Sequence, residues 1–305
     1  MDFSFAEEEE HFRQELRDFL KKELPPDWRY GVIEASDEDA SLEQEMRRKL
    51  AQRRWLALGW PKEYGGQGAS PITQLVFNEE MAYHRAPGRD VFGIGMLGPT
   101  LMVHGTEEQQ KKYLGDIARG EINWCQFFSE PGSGSDLASL QTRAVEDGDD
   151  FVINGQKIWS SGAHHADRFF MLARTDPDAP KHRGITFFLG DMKDPGIDVR
   201  PIVSMTGRHS FNEVFFDNVR VRKGDMVGEV NRGWYVAVTL LGFERSIIEY
   251  AAAARRALEE LTRFAKEVRL NGTLLLDDPL VRHKVAEMAV EIEVARLLCY
   301  RVAWM

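Results

Sequence analysis

The stretch that decides the fold is WCQFFSEPGSGSDLASL, residues 124–140. It begins as an apolar strand and changes at Pro131 into a run of glycines and serines. Glycine lets the main chain approach another molecule closely, and serine hydroxyls and free N–H groups supply hydrogen bonds. Because Gly, Pro, Ser and Asp are also the ordinary residues of turns, these residues alone favour a solvent-exposed loop.

The regions on either side of this stretch differ in pattern. Residues 1 to about 120 have helical spacing, as in LEQEMRRKLAQRRWLALGW (42–60) and PITQLVFNEEMAYHRA (71–86). Short aromatic or β-branched runs follow, and EDGDDFVING (146–155) predicts a hairpin that turns at Gly148. Helical spacing returns at 234–268 and 279–304.

The pattern therefore predicts an α+β multidomain protein. We expect an N-terminal helical domain at 1–121, a central β domain at 122–231 and a C-terminal helical bundle at 232–305. The last segment stops in mid-helix, so the bundle is expected to be truncated.

Bulk composition excludes several classes of protein. The 305 residues carry a net charge of −10, which argues against nucleic acid or an anionic membrane as the main partner. The sequence contains no apolar run of membrane-spanning length, and the glutamate-rich start resembles neither a secretion signal nor a transit peptide. With only Cys125 and Cys299, no disulfide framework is expected, and we predict a cytoplasmic protein.

Two polar motifs suggest sites that the context does not support. GSGSDL has a GxG but lacks the third glycine and the following long helix of a dinucleotide fingerprint. HHAD contains His164, His165 and Asp167, but adjacent histidines on an extended chain face opposite ways. We therefore expect no metal site.

Glu244 lies within the apolar stripe of the helix after the β region. Burial raises the pKa of a carboxyl toward the range of a general base. Helix geometry alone favours the alternative, an ion pair between Glu244 and an arginine such as Arg245.

Trp159 and Ser161 alternate onto one face of a predicted strand. An aromatic plane beside a hydroxyl group suits a planar cofactor with polar edges, although core packing is the commoner role of tryptophan.

Taken together, GWPKEYGGQG (59–68), FSEPGSGSDLASLQTRA (128–144), INGQKIWSSGA (153–163) and FNEVFFDNVRV (211–221) resemble the acyl-CoA dehydrogenase family. The resemblance implies FAD as cofactor and a β-barrel-like central domain, and in that family the glycine-serine run lies against the flavin. It places Trp159 beside the isoalloxazine ring and Ser161 near its N5 edge. Ser135 would contact the flavin phosphates or the acyl-CoA. The further flavin contacts implied are Gln126, Phe127, Phe128, Ser129, Gly134 and Ser160.

The resemblance also favours the catalytic interpretation of Glu244. One branch of the family carries its base directly before an arginine on the first helix after the β domain, as in GFERSI here. Glu244 would remove the α proton of an acyl-CoA while the β hydrogen leaves as hydride to the flavin, and Arg245 would position the substrate. The product would be a 2,3-enoyl-CoA. Electrons would pass to an electron-transfer flavoprotein or a similar acceptor, and a homo- or hetero-oligomer is implied.

Two departures from the family pattern leave alternatives open. The usual last helices are absent, and RLNGTLLLDDPLVRHKVAEM (269–288) replaces a common Arg-x-x-Phe-Gly turn. This version resembles bacterial members that act on bulky CoA thioesters, including steroid side chains. The alternatives are a non-catalytic partner subunit, a lapsed homologue of the same fold, or an acyl-CoA oxidase.

Overall fold

The computed structural model describes residues 5–26, 28, 37–243 and 248–305, with the backbone alone at 37–40. The helices are α1 (Glu7–Glu23), α2 (Asp37–Gln52), α3 (Pro71–Tyr83), α4 (Gly98–His104), α5 (Glu107–Ala118), α6 (Gly233–Phe243), α7 (Ile248–Glu267) and α8 (Pro279–Trp304). The strands are β1 (Trp124–Phe127), β2 (Arg143–Asp147), β3 (Asp150–Lys157), β4 (Arg168–Arg174), β5 (Ile185–Asp191), β6 (Ile197–Val203), β7 (His209–Arg222), β8 (Met226–Val227), β9 (Arg269–Leu270) and β10 (Thr273–Leu274).

Contacts along the chain group these elements into two compact units. One contains Arg48–Gly66 and Arg89–Arg245, and therefore the large sheet with α4, α5 and α6. The other contains Met1–Arg47, Gln67–Gly88 and Ser246–Met305, and therefore α1, α3, α7 and α8. The domain boundaries predicted from the sequence are a different division of the chain and stay predictions.

The large sheet has the strand order β6-β7-β3-β2-β4-β5-β8, and β1 pairs with β4. The predicted hairpin is confirmed, because β2 and β3 are antiparallel and Gly148 between them has a left-handed φ of 64°. In the described part of the chain, the strand path does not close between β6 and β8. The predicted order of helices, β-sheet and helices is confirmed, whereas the barrel-like closure is corrected to an open sheet.

Both faces of the central strands are buried, which explains their nearly continuous apolar sequences. In β4, Phe170 and Leu172 pack into one core cluster, while Phe169 and Met171 pack into the other. The first cluster joins the sheet to helical residues such as Leu101, and the second lies between strands of the same sheet. Period-2 alternation thus separates two cores instead of a core and a solvent face.

The helical unit is organised around two adjacent buried carboxylates on α3. The Arg13 guanidinium donates from one nitrogen to Glu79 at 2.9 Å and to Glu80 at 2.7 Å. Arg17 adds two hydrogen bonds to Glu80, each 2.8 Å, and the Tyr300 hydroxyl donates to Glu79 at 2.7 Å. Charges at this depth require partners, so this network links α1 and α8 to α3.

A search of the described helices finds none with the length and apolar content needed to cross a membrane.

Candidate functional site

The glycine-serine stretch is held by a buried ion pair that follows β1. Lys157, the last residue of β3, has no exposed surface, and its ammonium donates to the Glu130 carboxylate at 2.8 Å and to the Phe128 carbonyl at 3.1 Å. The same carboxylate accepts the backbone N–H groups of Gln141 at 2.6 Å and Thr142 at 2.9 Å. One carboxylate therefore fixes the chain before and after the loop.

The electrostatics of this pair favour its charged form at neutral pH. Burial lowers the pKa of Lys157 to about 8, with Glu130 opposing that shift. Burial alone would raise the pKa of Glu130, but the Lys157 charge and the hydrogen bonds from Thr142 and Gln141 bring it below its ordinary value. An ammonium with a pKa near 8 stays largely protonated at pH 7.

Sequence reasoning missed Glu130 and Lys157 as site residues. The signal was present in FVINGQK, because Lys157 falls on the same alternation as the buried Phe151 and Ile153. A lysine on an inward-facing position requires a buried acceptor, which the structure shows to be Glu130 of SEPG.

The loop itself is closed by reciprocal backbone hydrogen bonds between Glu130 and Ser133, at 2.7 and 3.0 Å. The buried Ser133 hydroxyl donates to the Asp136 carbonyl at 3.0 Å. Gly134 and Ser135 follow on the exposed side, and a Cβ built on Gly134 would meet nothing within 4 Å. The backbone is thus fixed from inside and open on the outside.

The segment after β3 lies directly beside this loop, since the Ile158 N–H donates to the Ser129 carbonyl at 3.0 Å. Trp159 then adopts a left-handed φ of 61°, and its side chain is 59% exposed with its ring edge-to-face with Phe211. The prediction that a strand carries Trp159 and Ser161 on one face is wrong. The strand ends at Lys157, two residues before the left-handed backbone of Trp159.

Three buried polar atoms in or near these segments have no hydrogen-bond partner among the described residues. They are the indole nitrogen of Trp124 and the side-chain nitrogen of Gln126, both in β1, and the hydroxyl of Ser160. An unpaired buried donor costs free energy, so such atoms indicate a ligand or another partner. The Ile158–Ser129 and Lys157–Phe128 hydrogen bonds place the segment of Gln126, Phe127, Phe128 and Ser129 beside the segment that continues to Trp159, Ser160 and Ser161.

Glu244 and Arg245 lie outside the described residues. Helix is described on both sides of them, in α6 up to Phe243 and in α7 from Ile248.

The two histidines of HHAD do not face opposite ways, as an extended chain would require. They lie on a 3₁₀ turn (Ala163–His165), and the ring centroids of His164 and His165 are 4.0 Å apart. The described residues contain no group of three or more His, Cys, Asp or Glu side chains arranged to hold a metal ion.

Comparison with known proteins identifies the family. Models of the N-terminal, middle and C-terminal domains of acyl-CoA dehydrogenases match residues 6–121, 125–219 and 231–305. A solved structure described as the Tcur3481-Tcur3483 steroid ACAD is 38% identical, with a TM-score of 0.88 over 99% of this chain and 77% of that chain. The chain belongs to the acyl-CoA dehydrogenase family.

Two mycobacterial proteins are also similar. Acyl-CoA dehydrogenase FadE34 of Mycobacterium tuberculosis (strain ATCC 25618 / H37Rv) is 44% identical over 270 residues, which are 85% of this chain and 38% of FadE34. The chain thus spans well under half the length of that relative. A ChsE4-ChsE5 complex from Mycobacterium tuberculosis has a TM-score of 0.88 at 35% identity, covering 99% of this chain and 77% of that chain.

These comparisons confirm the family predicted from the SEPGSGSD and INGQKIW motifs and, at the level of the family, the prediction of an oxidoreductase. Acyl-CoA dehydrogenases are generally FAD-dependent. The residues present fit a flavin, because the site combines an exposed indole ring, an accessible loop backbone and the unpartnered polar atoms of Gln126 and Ser160.

Proposed function

We propose that this acyl-CoA dehydrogenase binds FAD and converts an acyl-CoA thioester into a 2,3-enoyl-CoA. The observation that carries the proposal is the pairing of the Phe128–Glu130 segment with Lys157 and Ile158, which fixes two motif segments side by side. Rigid backbone with unpartnered polar atoms is what a preorganised cofactor site requires.

The residues proposed to hold the cofactor lie on the described loops. The Trp159 ring offers its face to the isoalloxazine, and Ser161 offers a hydroxyl near the flavin N5 edge. The remaining proposed contacts are Gln126, Phe127, Phe128, Ser129, Gly134, Ser135 and Ser160, of which Ser135 is also proposed to contact the acyl-CoA. Bound FAD supplies the acceptor for the hydride that leaves the substrate β carbon.

Glu244 is proposed as the base that takes the α proton, and Arg245 as the residue that positions the substrate. Both roles rest on the family resemblance of GFERSI. Removal of an α proton by a carboxylate requires a polarised thioester carbonyl, because the proton is otherwise too weakly acidic. The α hydrogen leaves as a proton and the β hydrogen as a hydride, so the substrate loses two electrons.

A bulky acyl group, including a steroid side chain, is the proposed substrate class. Support comes from the solved relative described as a steroid ACAD. An electron-transfer flavoprotein or similar acceptor is proposed to reoxidise the flavin, and the ChsE4-ChsE5 complex supports assembly with like or unlike subunits. We also propose a cytoplasmic location, as expected for a chain of 305 residues with only two cysteines.

The decisive experiment is the visible spectrum of the purified protein during anaerobic titration with acyl-CoAs of increasing bulk. We expect a flavin spectrum that is bleached by a bulky acyl-CoA. Glu244→Gln is the matched control, because it should keep the flavin and abolish bleaching. A protein that stays colourless after FAD is added would favour the partner-subunit or lapsed-homologue alternative. Rapid reoxidation of the bleached flavin when air is then admitted would favour an oxidase.

A further inference from the structure

Trp159 occupies a backbone conformation that a tryptophan adopts only when its surroundings impose it. Its φ of 61° lies in the left-handed region, where a Cβ is crowded by the neighbouring backbone. Such residues persist where adjacent hydrogen bonds over-determine the chain. The hydrogen bonds that impose this conformation on Trp159 are therefore expected at the neighbouring residue, Ser160.

Asn212 on β7 provides that restraint. It is fully buried and makes three hydrogen bonds to the backbone of Ser160. The Ser160 N–H donates to the Asn212 carbonyl at 3.0 Å, and the Ser160 carbonyl accepts from the Asn212 backbone N–H at 3.1 Å and from its side-chain amide at 2.9 Å. Asn212 thus holds both peptide groups of Ser160: its carbonyl bonds the one that follows Trp159, and its main-chain N–H and side-chain amide bond the one that precedes Ser161.

Two histidines orient the Asn212 side chain. Because the Ser160 carbonyl can only accept, the amide nitrogen of Asn212 must face it, which turns the amide oxygen toward His209. The Nε2 of His209 is 2.8 Å from that oxygen and must donate to it. The Nδ1 of His164 is 3.0 Å from the amide nitrogen and must accept from it, so His164 is neutral with its proton on Nε2.

We propose that Asn212, oriented by His164 and His209, is the positioning residue that holds Trp159 and Ser161 in place for the flavin. The inference rests on the proposed function, since it assigns a role toward the same cofactor. Asn212 is not proposed to contact the flavin itself, because it acts through the backbone of Ser160.

The arrangement has a consequence for pH. Burial, followed by the charges of His165 on the same turn and His209 on β7, keeps the pKa of His164 below its ordinary value of 6.5. If Nδ1 of His164 were protonated, its N–H would face the side-chain N–H of Asn212, and two donors cannot form a hydrogen bond with each other. FAD affinity should therefore be constant above pH 6.5 and fall as the solution becomes more acidic.

Paired substitutions separate this role from general packing. The oxygen of asparagine can replace the accepting Nδ1 of histidine, so His164→Asn keeps the acceptor without a titratable ring, whereas His164→Leu removes it. His165→Asn is the matched control, since His165 is the adjacent histidine and does not bond Asn212 in the described structure. The readouts are the dissociation constant for FAD and the visible circular dichroism of the bound flavin.

We expect Asn212→Ala and His164→Leu to weaken FAD binding tenfold or more and to change the flavin dichroism, consistent with the loss of a buried hydrogen bond. His164→Asn should bind within about threefold of the parent and lose the acid dependence. His165→Asn should bind FAD like the parent at pH 7.5 and keep an acid dependence, which begins at a higher pH because the charge of His165 no longer lowers the pKa of His164. Parent-like FAD binding by His164→Leu, or equal weakening in His164→Asn and His164→Leu, would overturn the inference while leaving the proposed function intact. A parent protein that binds no FAD would overturn both.

Discussion

Lys157→Met tests whether the buried ion pair maintains the candidate site. The substitution preserves most of the side-chain volume but leaves the Glu130 carboxylate buried without its cation and the Phe128 carbonyl without its donor. Removing one partner of a buried pair typically costs about 3–5 kcal/mol. Because the N–H groups of Gln141 and Thr142 remain, we expect a loss near the lower limit, about 3 kcal/mol.

The assay is urea unfolding at pH 7, followed by circular dichroism. Lys223→Met is the matched control, because Lys223 pairs with Glu146 at the surface of the same sheet and exposed pairs contribute about 0–1 kcal/mol. The double variant Glu130→Gln with Lys157→Met should recover part of the stability, since no buried charge remains. Equal losses in Lys157→Met and Lys223→Met would refute the reasoning.

Two further predictions concern stability. Burial alone would raise the pKa of Glu80, but His84, Arg17 and Arg13 lower it to about 2, so its stabilising contribution is complete above pH 4.5 and is lost as pH falls toward 2. Urea midpoints measured between pH 7 and 2.5 should therefore fall less steeply in Glu80→Gln than in the parent, and parallel curves would contradict this. Gly98→Ala would place a Cβ 2.0 Å from the Trp60 ring and should cost about 1–3 kcal/mol, whereas Gly132→Ala meets nothing within 4 Å. Thermal melting should separate these two alanine variants, and equal melting temperatures would show that the Trp60 ring moves aside freely.

Local signals in the sequence predicted α3 well because its start is set by neighbouring residues, whereas the helical pattern of 42–60 continued past the end of α2 at Gln52. PITQLVFNEEMAYHRA begins α3 at Pro71, where the Ser70 hydroxyl accepts the Thr73 N–H. The hairpin of β2 and β3 could be predicted for the same reason, because its turn is set by the residues around Gly148. The closure of the β region could not be predicted in the same way, because it depends on pairing between strands that are distant in sequence, such as β3 with β7.

Within the site, residue identity was easier to predict than conformation. The motifs located Trp159, but period-2 reasoning extended β3 through it, since nothing in KIWSSGA marks a positive φ at a tryptophan. The proposed cause of this positive φ lies 53 residues later at Asn212, whose hydrogen bonds with the backbone of Ser160 are visible only in three dimensions. Glu79 and Glu80 likewise resemble surface charges in FNEEMAY and are buried because Arg13 and Arg17 on α1 meet them.

The two restraints around the candidate site differ in chemistry. A charged pair, Glu130 with Lys157, fixes the ends of the glycine-serine loop, while the neutral Asn212 amide fixes the peptide after Ser160. Each restraint uses polar groups that bond within the protein, and the side chains of Gln126 and Ser160 retain polar atoms with no partner in the described structure. If both restraints serve one cofactor, losing either should weaken FAD binding. Only a substitution in the Asn212 restraint, such as His164→Asn, should also remove the weakening of FAD binding that protonation of His164 causes in acid.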